Sequence, residues 1–468
     1  MAIGMNTFIR SISSILILLG FCTYSFSQEE CTTILVGRKA TADGSVIIAH
    51  AEDMGKTDSG KLWHQDAAEY EKSDSIYLPY ETIPGVSRTY SYWAHGNSDK
   101  VAERYNGSIL AGMNQFGVSF GCNTVYTRDE LIPEGEKGLQ RYSIRRLIME
   151  RARTAREAVE MVGQLIDTYG QSGIVVAYLI ADAEEAWVVE TTPRHWVAKR
   201  VPDDGFHVQA NQYTIEKEWD IASSDLVEYA ESQGWYDNNS GEFSFRHIYG
   251  DPQRIDRPYD TVRELRATEI LESKKGSISV KDLKTIMRSH YEGTSDYHYP
   301  PHDTDVIRPI CVSNTQAAKV WHLRPDLPVE TGAIMWYAIS TPCTSIFVPV
   351  FSGSERVPEE YLNAGEVFDP SSAWWTFDAL QKAVDKDYDG LFPYFEIYRN
   401  ARERYLVKKA GEIQARASAK FEKGNTRDAK ELLSEFSFNM LQMVYIEAGG
   451  MLEELLLKAD MEDEGEQR

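Results

Sequence analysis

The sequence predicts an α+β fold. Short strand-forming runs are joined by hairpin turns rather than βαβ crossovers, and two such β-rich blocks are separated by helical stretches. A long helical segment follows the second block.

Thr32–Val36 and Ser45–Ala49 are rich in β-formers, and Ala40-Thr-Ala-Asp-Gly44 between them is a turn signal, so together they read as a hairpin. Ser108–Met113 and Val118–Val125 flank a second turn at Asn114-Gln-Phe-Gly117. From Tyr142 to about Tyr169 apolar residues recur at helical spacing, including Ile144, Leu147, Ile148, Val159, Val162 and Ile166. Ile174–Ala181, Ala186–Glu190 and Trp196–Arg200 read as an antiparallel meander. Tyr259–Ser273 and Val280–His290 read as helices. The second β-rich block covers Ile310–Ser313, Ala318–Leu323, Ile334–Tyr337 and Ser345–Pro349. Beyond Ser371 strand formers thin out, and Leu380 to about Asp460 has helical periodicity with a break at Gly424-Asn425. The acidic tail 460–468 is expected to be disordered.

The amino end has the pattern of a secretory leader. Met1–Arg10 ends in a positive residue, Ile12–Phe21 is mostly apolar, and Ser25-Phe26-Ser27 offers small residues for a cut after Ser27. The apolar run is shorter than the roughly 20 residues needed to span a bilayer. Lipid anchoring favours small residues before the acceptor cysteine, whereas Cys22 follows Phe21 and Cys31 follows Glu30. The expectation is a signal peptide over 1–27, a short pro-segment over 28–30, and export to the periplasm or beyond.

With 468 residues, 42% of them hydrophobic, the chain can build a substantial core. Asp and Glu outnumber Lys and Arg 72 to 49, for a formal net charge of −23, which disfavours nucleic-acid backbones and fits a well-solvated surface. Removing the leader takes Cys22 and leaves Cys31, Cys122, Cys311 and Cys343. Two disulfides could form from these in an exported protein, though this is no disulfide scaffold. No CxxC occurs, and Cys122, Cys311 and Cys343 sit in apolar or aromatic surroundings that suit inert buried thiols.

Cys31 is different. Once the pro-segment is gone it carries both a thiol and a free α-amine, whose unperturbed pKa of about 7.7–8.0 suits a proton acceptor at working pH. A thiolate is intrinsically reactive, and an adjacent amine can take its proton without a histidine.

Several stretches, in order, resemble the bacterial dipeptidases among the N-terminal-nucleophile (Ntn) cysteine hydrolases. They are Cys31-Thr-Thr-Ile-Leu-Val-Gly37, Ala42-Asp-Gly-Ser45, Glu52-Asp53, Gly112-Met-Asn114 with Gly117-Val118, Ala210-Asn-Gln212, Tyr249-Gly-Asp-Pro252, His290-Tyr-Glu-Gly-Thr294, Leu323-Arg324 with Leu327-Pro328, and Phe347-Val-Pro349. Bile-salt hydrolases and penicillin V acylases are similar at a greater distance. The resemblance covers roughly Cys31 to Gly353 and implies a four-layer αββα sandwich, expected over 31–370, with the nucleophile at the tip of a central strand; the helical segment over 371–459, reached with no low-complexity linker, is expected to pack on it.

It also implies roles. Cys31 is the expected nucleophile, with Asp53 beside the amine and Asn211 as an oxyanion donor. Arg263, followed by Arg266, matches an Arg-x-x-Arg helix whose guanidinium would favour a thiolate. Asn123 is a second donor or substrate contact. Relatives commonly read Ala-Arg-Asn-Glu-Asp where this chain reads Ala49-His50-Ala51-Glu52-Asp53. His50 therefore offers a titrating substrate contact in place of a fixed cation, or a packing role.

A rival reading gathers His290, Glu292, Asp296, His298, His302, Asp303 and Asp305 into a metal site, but their spacing fits no His-Glu-x-x-His or calcium-loop template. The expectation is a cysteine dipeptidase without metal or other cofactor. Its partners are small peptide substrates, with no nucleic acid and no membrane after leader removal; a homo-oligomer is left open. A related linear-amide acylase and a non-catalytic binding protein on the same scaffold are the alternatives.

Overall fold

The computed structural model describes residues 30–54, 59–71, 75–97, 108–239 and 241–466. The expected leader and Gln28-Glu29 lie outside the described residues. In chain order the elements that frame the site are β1 (Thr32–Val36), β2 (Val46–Asp53), β3 (Gly60–Gln65), β4 (Tyr92–Asn97), β5 (Ile109–Asn114), β6 (Ser119–Thr124), α1 (Arg141–Arg151), α2 (Ala155–Tyr169), β7 (Val176–Ala181), β8 (Ala186–Thr191), β9 (Trp196–Arg200), β10 (Phe206–Gln209) and β11 (Ile221–Ala222). They continue with α3 (Pro258–Glu272), α4 (Val280–Met287), β12 (Thr315–Leu323), β13 (Ala333–Ile339), β14 (Val348–Phe351), α5 (Ala373–Lys386), α6 (Tyr388–Glu422) and α7 (Thr426–Glu466).

A six-stranded sheet runs β10-β1-β2-β12-β13-β14, and an eight-stranded sheet runs β11-β9-β8-β7-β6-β5-β4-β3. Pairing is antiparallel throughout both. The sheets face one another through β1 and β2 against β6 and β7. Helices α1 and α2 cover the outside of the eight-stranded sheet; α4, α6 and α7 cover the outside of the six-stranded one. This is the expected αββα layering.

Strand β7 explains why both sheets form. Its residues are all buried, yet they alternate in destination: Tyr178 and Ile180 join the cluster under α1 and α2, and Ala177 and Leu179 the cluster between the sheets. With a side-chain period of two, a strand covered on both faces must be apolar at every position. Burying each large apolar side chain contributes about 1.5–3 kcal/mol.

Several expectations need correction. The helix read from Tyr142 to Tyr169 is two helices, because Thr154 caps α2 by accepting from Glu157 N at 3.1 Å and so ends the preceding periodicity. Ile310–Val312 is buried but unpaired in either sheet, and the last strand is Val348–Phe351, starting three residues later than expected, after the 3₁₀ turn Pro342–Thr344. Strands β3, β4 and β10 escaped notice because their patterns are short and rich in His, Trp and Gly. Helix α7 runs to Glu466, into the tail expected to be disordered; Met461, Glu462 and Glu464 there are good helix formers. No helix among the described residues is long and apolar enough to cross a membrane.

Candidate active site

Antiparallel register places Gln209, Thr33, His50, Lys319, Tyr337 and Val348 side by side across the six-stranded sheet. Directly opposed residues share a face. Thr33 reaches Asn123 on β6 and Tyr337 reaches His95 on β4, so this face looks toward the second sheet. The ring of His50 lies against Gly121 of β6, where a Cβ would stand 2.7 Å from His50 Cγ. Glycine is required there by close approach of the sheets.

Cys31 immediately precedes β1 and is fully buried. Its thiol donates to Glu52 Oε1 at 3.3 Å, and the other oxygen of Glu52 meets His50 Nε2 at 2.9 Å. Asn123 Nδ2 donates to the carbonyls of Cys31, Gln209 and Ala210 at 3.1, 2.8 and 2.9 Å, which turns its oxygen toward the Thr33 hydroxyl. Thr33 has one proton, and this oxygen takes it. His50 Nδ1, 2.8 Å from Thr33 Oγ1, must then be the donor in that contact. A second proton is therefore shared on the line between His50 Nε2 and Glu52 Oε2.

The electrostatics of this pair oppose one another. Burial pushes the His50 imidazole down, against the hydrogen bond and charge of Glu52. Burial pushes the Glu52 carboxyl up, but the His50 hydrogen bond and the charges of His50, Lys319 and Arg145 outweigh it and hold Glu52 below the usual range. Lys319, fully buried with no hydrogen-bond partner at Nζ, is pushed by burial down to about 8 despite the pull of Glu52, Cys31 and Asp53.

Asp53 points to the opposite face of β2 from Glu52, as the two-residue period demands. There it accepts from Thr315 Oγ1 at 2.6 Å and from Arg308 Nη2 at 2.5 Å. Arg308 Nη2 also donates to the carbonyl oxygen of Glu30 at 2.7 Å. Arg263 on α3 donates through Nη1 to that same oxygen at 3.3 Å, to Cys31 O at 2.8 Å and to Thr32 Oγ1 at 3.1 Å. Its Nη2 donates to Asp260 Oδ1 at 2.7 Å and Asn211 Oδ1 at 2.9 Å, while Asn211 Nδ2 donates to Thr124 O at 3.0 Å.

The structure thus gathers Cys31, His50, Asp53, Asn123, Asn211 and Arg263 around one strand end. His50 and Asn123, expected as substrate contacts, lie in the same buried network as Cys31. Both are wholly buried, and their polar atoms meet Thr33, Glu52 and backbone carbonyls. Arg266 faces outward, paired with Asp296 and Glu269.

Glu52, Lys319 and Arg308 went unnoticed in the sequence. For Glu52 a signal existed: His50-x-Glu52 on a strand puts both side chains on one face. For Arg308, on an irregular loop, no local pattern could tell. A cleft of about 1160 Å³ lined by Ile47, His322, Trp336 and Lys284 lies on the outer face of the six-stranded sheet and includes none of the Cys31 network. The candidate centre is the strand end.

Among the described residues, Cys31, Cys122, Cys311 and Cys343 form no disulfide with one another. Cys122 lies in the apolar layer under α1 and α2, as expected of an inert thiol. Cys311 and Cys343 do not share those surroundings, for both lie against His302.

Comparison with known proteins identifies a peptidase. A "probable dipeptidase B" of Lactococcus lactis is 26% identical over 88% of this chain and 93% of its own length. A "probable dipeptidase" of Latilactobacillus sakei is 28% identical over 81% and 86%, and one of Salmonella dublin 29% over 69% and 81%. Among solved structures, penicillin V acylase from Agrobacterium tumefaciens overlaps with a TM-score of 0.41 at 14% identity, covering 69% of this chain and 86% of that one. The family model for peptidase family C69 matches residues 30–400, which span the strand end, both sheets and the start of the helical segment. The chain belongs to peptidase family C69.

Proposed function

We propose that this peptidase is an exported, cysteine-dependent dipeptidase whose nucleophile is Cys31, armed by loss of the residues before it. One observation carries the reading. The Glu30–Cys31 peptide has its carbonyl oxygen held by Arg308 and Arg263, while the Cys31 thiol is held by Glu52. Two guanidinium donors on a carbonyl oxygen are the arrangement that stabilises a developing oxyanion.

In maturation, Sγ of Cys31 adds to the Glu30 carbonyl carbon and the C–N bond to Cys31 breaks. The thiol proton passes to the departing nitrogen, which becomes the α-amine. Water then cleaves the thioester, releasing the Glu30 carboxylate and restoring the thiol. In turnover the α-amine accepts the thiol proton, the sulfur attacks the substrate amide carbonyl, and the same proton leaves with the amine product. Water releases the acyl group. Asn211, held by Arg263, supplies an oxyanion donor. The dipeptidase names of the relatives support the substrate class.

N-terminal sequencing of purified active protein tests the reading, with Cys31 expected as the first residue. Cys31→Ala should keep the upstream residues and show no turnover. Fully active protein that begins before Cys31 would overturn it. A panel of dipeptides, N-acyl amino acids and conjugated bile salts tests the substrate class; faster cleavage of the latter two would overturn the dipeptidase assignment while leaving the nucleophile intact.

A further inference from the structure

Away from the Cys31 network, His290, His302, Cys311 and Cys343 converge from the loop after α4, the approach to β12 and the Pro342–Thr344 turn. One ligating atom from each lies within 4.8 Å of all the others. Cys343 Sγ is 3.3 Å and Cys311 Sγ 3.9 Å from His302 Nε2. The two imidazoles meet edge to face with centroids 4.8 Å apart. His290, Cys311 and Cys343 are at most 2% exposed, and His290 Nε2 is buried with no hydrogen-bond partner.

We propose that these four side chains form a closed Cys₂His₂ site for a structural zinc ion. Around zinc, bonds of about 2.3 Å to sulfur and 2.0–2.1 Å to nitrogen give tetrahedral S–N edges of roughly 3.6 Å. The two S–N separations above bracket that value. Four protein ligands leave no open position, which is the mark of a structural rather than a catalytic ion. On binding, Cys311 and Cys343 each release a proton to solvent. Two thiolates, two neutral imidazoles and Zn²⁺ then sum to zero charge, a composition that tolerates burial.

The surroundings are built for this. His290 Nδ1 meets Glu292 Oε1 at 2.8 Å and His302 Nδ1 meets Asp385 Oδ1 at 3.0 Å. Each carboxylate fixes the proton on Nδ1 and turns Nε2, the ligating atom, toward the sulfurs. A Cys311–Cys343 disulfide is the competing fate of these thiols in an oxidising compartment. It would leave His290 Nε2 unsatisfied, whereas a metal satisfies all four atoms. The ion would tie the loop that delivers Arg308 to the Pro342–Thr344 turn and, through Asp385, to α5. The Glu292, Asp296, His298, Asp303 and Asp305 side chains of the rival sequence cluster are not among its ligands; His298 bonds the Asp303 carbonyl.

Zinc content of the full chain, purified without chelator, tests the site. We expect about one zinc per chain, lost in Cys343→Ser and His302→Ala and retained in Cys31→Ala. Should the ligand variants fail to fold, Asp385→Asn serves instead, with zinc affinity lowered by about 10–100-fold. Cobalt substitution should show thiolate-to-metal charge transfer in the unaltered chain and in Cys31→Ala. Protein that binds no zinc, a Cys311–Cys343 disulfide found by mass spectrometry, or metal lost from Cys31→Ala but kept by Cys343→Ser would each overturn the proposal.

Discussion

Arg308 and Asp53 form a buried ion pair at 2.5 Å, with both side chains at most 1% exposed, and the same guanidinium nitrogen reaches the Glu30 carbonyl. The pair therefore joins the end of β2 to the Glu30–Cys31 peptide, the bond proposed to be cut. Removing one partner leaves the other charged and buried, which costs about 3–5 kcal/mol. Asp53→Asn is expected to lower unfolding free energy by that amount in urea titration. Arg308→Lys keeps the charge but loses the fork, so Glu30 should persist in intact-mass spectra of freshly made protein.

Glu52 takes the thiol on one oxygen and the imidazole on the other. Glu52→Gln keeps the shape but replaces one acceptor with a donor. A group that orders the reacting thiol for proton transfer is worth roughly 10²-fold or more in rate. We expect kcat/KM to fall by at least about 10²-fold, with the chain still folded by circular dichroism; near-normal turnover would show that Glu52 does not position the thiol.

Gly121→Ala probes the contact between the sheets. Its methyl would meet His50 Cγ at 2.7 Å, so the ring or the strand has to move. Overpacking of this kind costs about 1–3 kcal/mol. The expected result is a lower melting temperature, with a pH–rate profile that shifts because His50 no longer meets Glu52 squarely. An unchanged profile would detach His50 from the reaction.

The pH dependence of stability isolates Lys319. Its ammonium is held at about 8 in the fold against an ordinary value of 10.5. Between those values the unfolded chain binds more protons than the folded one, so stability rises with pH across that window and is lowest, and flat, below it. Lys319→Met should lack this rise, so the difference between parent and variant should slope across the window when measured by urea unfolding from pH 7 to 10.5. A difference curve with no slope there would show that the amine is not desolvated.

What the sequence revealed follows from range. Cys31, Asp53, Asn211 and Arg263 lie in short motifs whose spacing survives in one dimension, and the hairpins around them rest on adjacent strands. The Cys31 hairpin partner β2 was legible for the same reason. Glu52 was hidden by Asp53 beside it: the two diverge to opposite faces of β2, and only the fold says which face holds the sulfur. Arg308 and Lys319 arrive from more than 250 residues downstream of Cys31, on a loop and on β12, and no local periodicity ties them to it. Cys311 and Cys343 looked inert because the histidines beside them come from a proline-rich loop with no regular spacing.

The helical segment at the carboxyl end has a consequence for how the molecule behaves in a crowd. Strand β14 is the last of its sheet, and a terminal strand offers its backbone as a template for other chains. Here Ser437 of α7 lies 3.4 Å from the Phe351 N–H as its acceptor, Glu355 N donates to Ser434, and α6 and α7 lie along the same border. A protein shortened before α6 would bare that margin and become prone to self-association, whatever became of its chemistry.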